Sequence, residues 1–122
     1  MAAKHDLKID QGTDTSIKFV LKKKNTLPLD LAGYKAAMQL RQAAYSVEAI
    51  DTLTTENGRL SIEPAEGKIT AVFPNKSTEQ YPPGYLVYDL EIETVSGEIT
   101  RILQGRIQII AEVTRVKAGT TS

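Results

Sequence analysis

Few residues in this chain are of types that do chemistry, and their spacing does not gather them. Asp89, Glu91 and Glu93 occupy every second position of one segment. Two carboxylates flanking a bond could work as acid and base in glycoside hydrolysis, and a cluster of them could hold calcium. Calcium needs several oxygen ligands from a looped backbone, whereas successive side chains on one face of a flat strand sit too far apart to form such a cage. The pattern therefore reads as a solvated face, although a glycosidase pair would look the same in sequence. His5 is the only histidine, and there is no cysteine. That combination leaves no transition-metal ligand set, no thiol nucleophile and no disulfide framework, and His5 reads as a surface residue.

Other motifs point the same way. No glycine-rich phosphate loop of the GxGxxG or GxxxxGK[ST] type occurs, and no GxSxG elbow. The basic run Lys22-Lys23-Lys24 reads as a solvated loop that discourages strand pairing rather than as an anion site. Tyr81 and Tyr85 flank Pro82-Pro83-Gly84. They make either an exposed patch of the kind favoured at interfaces or a corner in which a tyrosine hydroxyl ties a loop to the backbone. The five tyrosines are not accompanied by tryptophan, which disfavours carbohydrate binding while leaving it open. No catalysis, no cofactor and no metal are expected.

These residues must be positioned by a small scaffold. The 122 residues are expected to form a single domain, 1–122, with residues 117–122 flexible. Apolar residues are 41% of the chain and charged residues 25%, and fifteen Lys and Arg balance fifteen Asp and Glu. A neutral balance argues against a general nucleic-acid or membrane-surface binder, which relies on a positive field. The start, MAAKHDLKID, lacks the apolar core of a signal peptide, and no stretch approaches the roughly 18 apolar residues of a membrane span. Absence of cysteine fits assembly in a reducing cytoplasm.

Alternation dominates the pattern. Residues 84–110 read as one long hairpin, with Leu86, Tyr88, Leu90 and Ile92 on the core side of the first arm. Ile99, Leu103, Ile107 and Ile109 keep a period of two in the second. A two-residue loop at Val95-Ser96 would place Ile92 opposite Ile99, Tyr88 opposite Leu103 and Arg101 opposite Leu90. A three-residue loop would place Arg101 beside Glu91. The first register buries more and is preferred, with Arg101 its one misfit. Gly105, at a core-facing position, predicts a bulge, a bend or a close backbone approach. Further strands are expected at residues 4–9, 15–21, 59–63 and 68–73, with a weaker extended segment within 43–55. A turn is expected at Lys22 to Asn25, and residues 75–80 suit one helical turn capped by Asn75 or Ser77. Residues 34–41 have good helix propensity but alternate Tyr34, Ala36, Met38 and Leu40 with polar positions. The strand reading is preferred, because strands surround the segment. The expected class is all-β: an Ig-like antiparallel sandwich of about 7–8 strands with at most one short helical turn.

Several stretches in order carry a family resemblance: a Gln-Gly turn at Gln11-Gly12, the segment LPLDLAGYKAAMQLR, GKITAVFP, and PPGYLVYDLEIETVSGEITRILQGRIQIIAEVTR. The most specific parts are Pro83-Gly84-x-x-x-Tyr88-Asp89-Leu90, Leu103-x-Gly105-x-Ile107 and Glu112-Val113-Thr114-Arg115. From about Lys4 to Arg115 the chain resembles the small β-sandwich domains of tailed-bacteriophage structural proteins: tail-collar and fibre-attachment proteins and the N-terminal domains of upper-baseplate proteins. The resemblance implies an Ig-like fold, no catalysis, and a ring or trimer in the virion tail, assembled in the host cytoplasm. The implied partners are the chain itself and other tail or fibre proteins, with no nucleic acid and no membrane. It carries over no binding residues. From the residues, Val20, Val87 and Ile102, apolar on nominally wet faces of adjoining strands, are the candidate subunit interface, together with Tyr81 and Tyr85. The rival reading is a carbohydrate-binding or receptor-recognition module.

Overall fold

Strict alternation over residues 84–93 puts Leu86, Tyr88, Leu90 and Ile92 on one face, and all four are buried. That strand is the centre of the larger sheet in the computed structural model, which describes residues 2–23 and 27–115. The strands are β1 (Ala3–Lys4), β2 (Leu7–Asp10), β3 (Thr15–Val20), β4 (Lys35–Arg41), β5 (Asp51–Thr54), β6 (Leu60–Glu63), β7 (Lys68–Phe73), β8 (Gly84–Glu93) and β9 (Ile99–Ile110). One short helix, α1 (Asn75–Thr78), and a 3-10 turn (Pro64–Glu66) interrupt them. Strands β1-β9-β8-β4-β5 form one sheet, with β2 also on β9, and β3-β7-β6 form the second.

The fold is all-β, two sheets enclosing one core, as expected. Nine strands are present among the described residues, because the first expected strand divides into β1 and β2. Both run parallel to β9, so the larger sheet is mixed rather than antiparallel throughout. The division has a local cause at Gly105, where a side-chain Cβ would overlap the His5 carbonyl. The chain crosses β9 so closely there that Asp6 Oδ1, not a backbone carbonyl, accepts the Arg106 N–H at 2.9 Å. Of the three devices expected at Gly105, the structure uses close backbone approach.

Residues 35–41 are a strand despite their helix propensity. Ala36, Met38 and Leu40 are buried between the sheets, and β8 and β5 flank the strand on both sides. Side chains of the size of Met38 and Leu40 each contribute about 1.5–3 kcal/mol on full burial, which outweighs propensity differences of tenths of a kcal/mol per residue. The weaker segment within 43–55 resolves into β5, whose Leu53 is fully buried. The remaining core comes from both sheets: Ile9, Phe19, Leu60, Ile69, Phe73, Ile107 and Ile109.

The hairpin register differs from the preferred one. Glu93 pairs with Ile99 and Glu91 with Arg101 across a loop of residues 94–98, then the register shifts and Leu90 pairs with Leu103. Ile102 is the extra residue of this β-bulge. The bulge reverses the facing of the end of β9. Ile99, expected in the core, is 61% exposed, and Arg101 points outward to pair with Asp89 at 3.2 Å. The misfit charge is thus resolved by one inserted residue, which a period of two cannot encode.

The crossover from β7 to β8 passes through α1 and changes sheets, as expected of a sandwich. Pro74, rather than Asn75 or Ser77, holds the N-cap position. Asp14 on the opposite loop supplies the missing acceptor, its Oδ1 taking the Asn75 N–H at 2.7 Å. Gly67 closes the 3-10 turn at φ 60°, where a Cβ would collide with the Leu21 and Leu29 backbone. Of the turn expected at Lys22 to Asn25, Lys22 bridges Pro28 and the Lys23 N–H donates to the Leu27 carbonyl at 2.7 Å; Lys24, Asn25 and the expected flexible segment 117–122 lie outside the described residues.

Candidate functional site

Polar side chains at partly or fully buried positions are used to join elements. Asp51 opens β5 in the larger sheet, and Arg59 precedes β6 in the smaller one. Arg59 reaches Asp51 with two nitrogens, Nη1 at 3.3 Å and Nη2 at 2.8 Å, while its Nε donates to the Val72 carbonyl of β7 at 2.9 Å. The Tyr81 hydroxyl donates to the same carboxylate. Burial pushes the Asp51 carboxyl up, but the bonds from Arg59 and Tyr81 outweigh it and hold it below its ordinary range. Burial and the Asp51 charge push the Tyr81 hydroxyl well above its ordinary range. The three residues form a clamp between the sheets and the crossover, with Gln11 Nε2 bonded to the Tyr81 carbonyl at 3.0 Å.

A second polar anchor lies under β1. The Tyr88 hydroxyl donates to the His5 carbonyl, and burial, then the Asp6 charge, raises it to about 12. His5 itself stands edge-on to Phe19, with ring centroids 6.3 Å apart. Among the described residues no group of three or more His, Asp or Glu is placed to hold a metal ion, and no helix is long and apolar enough to cross a membrane.

The outer face of the larger sheet is concave, with a volume of about 760 Å³ lined by Gln39, Arg41, Thr52, Asp89, Glu91, Arg101, Gln104 and Arg106 among others. Its side chains are cross-linked: Gln39 Nε2 donates to Thr52 Oγ1 at 3.1 Å and Arg41 Nη2 to Gln39 Oε1 at 2.7 Å. Asp89 and Glu91, the candidates for carboxylate chemistry, stand on this face beside Arg101. At the hairpin-tip end of the sheet a smaller pocket of about 310 Å³ is lined by Lys35, Ala37, Glu56, Glu91, Ile92, Glu93 and Ile99 among others.

The five expected interface residues do not share a surface. Tyr81 is 2% exposed, so it is no exposed patch, and its hydroxyl ties the crossover to the Asp51 carboxylate rather than to backbone. Val20 is exposed but lies on the smaller sheet. Ile102, at the bulge, is half-buried and packs against the core. Val87 is half-buried on the outer face of the larger sheet, near Tyr85, which is exposed. The Arg106 guanidinium lies 4.7 Å from the Tyr85 ring centroid, a cation–π stack.

Among the described residues, seven large exposed apolar residues were not among those expected: Leu27, Tyr45, Val47, Val72, Val95, Ile99 and Val113. Tyr45 and Val47 sit in the loop 42–50, beyond Arg41, at the same end of the sheet as the start of β8. The absence of strict alternation over that segment was the available signal. Ile99 was hidden by the bulge.

Comparison with protein-family models and with curated proteins finds no match to this chain.

Proposed function

We propose that this chain is a non-enzymatic structural protein of a tailed-bacteriophage virion, an oligomeric adaptor or collar component that attaches tail fibres or forms part of the baseplate. The observation that carries the reading is the division of labour among its side chains. The clamped polar groups, Asp51, Arg59, Tyr81 and Tyr88, join strands and sheets, while large apolar residues stand at loops and strand ends: Tyr45, Val47, Val95 and Ile99. Such residues are covered when another protein docks. The resemblance of residues 4–115 to phage sandwich domains supplies the biological setting: the virion tail, assembled in the host cytoplasm.

The concave outer face favours a second reading, a carbohydrate-binding or receptor-recognition module. Its Gln39, Asp89, Arg101 and Gln104 side chains offer planar hydrogen-bonding groups that suit hydroxyl-rich ligands. Native mass spectrometry combined with a glycan array decides between them. A ring or trimer that ignores glycans supports the structural role; a monomer that binds glycans overturns it.

A further inference from the structure

The loop after β4 and the pocket before it are complementary, yet they lie at opposite ends of the same strand. Tyr45 and Val47 project from the loop at 91% and 94% exposure. The backbone beneath them is tied down. Arg41 Nη1 donates to the carbonyls of Ser46 at 2.8 Å and Val47 at 3.0 Å, and Ser46 Oγ accepts the Ala43 N–H at 3.1 Å. Side chains on a pre-ordered loop lose less freedom when covered, and tyrosine beside arginine is the composition of an interface anchor.

The pocket is the reverse of this surface. Ala37 and Ile99 supply accessible apolar lining, with the buried Ile92 at its base, and Glu56, Glu91 and Glu93 supply acidic groups. Lys35, 4.0 Å from Glu56, offsets only one of the three carboxylates. Its volume of about 310 Å³ is at the small end of those that receive a ligand and suits one aromatic side chain. At the loop end Arg41 and Arg106 supply positive charge against the single acidic residue of residues 42–50, Glu48. With β4 between them, the two surfaces are roughly 20 Å apart along the strand.

We infer that copies of this chain associate head to tail, the Tyr45 and Val47 loop of one copy entering the Ile99 pocket of the next. The contact is heterologous, so its repetition closes into a ring if the rotation between copies divides a full turn and grows into a filament if it does not. The inference rests on the reading of the chain as a self-assembling structural protein.

Two variants test it. Tyr45→Asp with Val47→Asp destroys the loop but leaves the pocket. Ile99→Asp with Ala37→Glu places charge in the pocket but leaves the loop. Sedimentation velocity of the wild-type chain over a concentration series is expected to show assemblies. Each variant alone is expected to self-associate at least about 30-fold more weakly, the loss of a hot-spot contact, with circular dichroism unchanged. An equimolar mixture of the two is expected to give a 1:1 dimer and nothing larger, because one intact loop meets one intact pocket. Wild-type assemblies that survive both sets of substitutions, or a mixture of weakened variants that stays monomeric, overturn the loop-to-pocket contact while leaving self-assembly standing. A wild-type chain that stays monomeric at every concentration overturns both.

Discussion

Replacing Asp51 by alanine removes the common acceptor of the clamp. Arg59 then keeps only its bond to the Val72 carbonyl, and the Tyr81 hydroxyl loses the acceptor it has in a side chain that is 2% exposed overall. A hydrogen bond to a charged group contributes about 1.5–3 kcal/mol, and a buried donor without a partner costs about 1–3 kcal/mol. Breaking a fully buried ion pair costs about 3–5 kcal/mol. Here the paired side chains keep 20% and 16% of their exposure, so water relieves part of the loss and the expected cost is about 2–4 kcal/mol. For a chain of this size that lowers Tm by roughly 6–16 °C. Thermal unfolding followed by circular dichroism at pH 7, with urea titration for ΔG, measures it. Asp51→Asn, which keeps one acceptor oxygen, should fall between the alanine variant and the wild type. The pH dependence has a definite sign. The folded carboxyl is held below its unfolded value, so its stabilising contribution is complete above about pH 4 and disappears as pH falls through the lower, folded value. The asparagine variant should lack that component. A cost below about 0.5 kcal/mol for Asp51→Ala, or strict additivity of Asp51→Asn with Tyr81→Phe in a double-mutant cycle, would refute the clamp.

Gly105→Ala drives a methyl group into the His5 backbone; a loss of about 1–3 kcal/mol, with β1 amides gaining hydrogen-exchange rate before those of β8, is the expected outcome by NMR. Tyr88→Phe deletes only the hydroxyl that holds the His5 carbonyl and should cost about 0.5–1.5 kcal/mol in urea unfolding. Asp14→Ala removes the acceptor of the Asn75 N–H and should cost about 1 kcal/mol, the usual loss of a helix cap, whereas Asn75→Asp should not reproduce the cap. Equal stability of the Asp14 variant and the wild type in urea titration would sink that assignment.

How much of this was legible in the sequence depended on what each residue reports. Alternation is a local signal, so β3, β4, β7 and β8 could be placed from Ile17, Met38, Ile69 and Leu90 without knowing their neighbours. It also settled the ambiguous segment 35–41 correctly, because Ala36, Met38 and Leu40 are spaced for a strand's single buried face. The bulge at Ile102 was not legible. It inserts a residue between two well-patterned stretches, and either side of it looks regular alone. The parallel pairing of β1 and β2 with β9 was also hidden, since nothing in residues 3–10 names a partner about a hundred positions away. Gly105 was readable as a constraint, though not which backbone would approach it. For the candidate interface the sequence could mark apolar residues on wet faces but not which sheet carried them, and so Val20 and Val87 were grouped although different sheets hold them. Tyr81 shows the same limit: between polar and proline residues it reads as an exposed patch or as a tied corner, and its partners Asp51 and Arg59, distant in sequence, are named by neither.

The parallel strands against β9 also set an order of events during synthesis. Asp6 and Arg106 are 100 positions apart, so β1 and β2 are synthesised well before β9 and wait for it before they can hydrogen-bond in this sheet. Until β9 emerges, β8 has an open edge opposite β4, carrying the alternating apolar residues Leu86, Leu90 and Ile92. Closure of such a long loop slows folding relative to a chain of local contacts. The interval in which β8 is open is therefore the period when this chain is most prone to pair with the wrong strand.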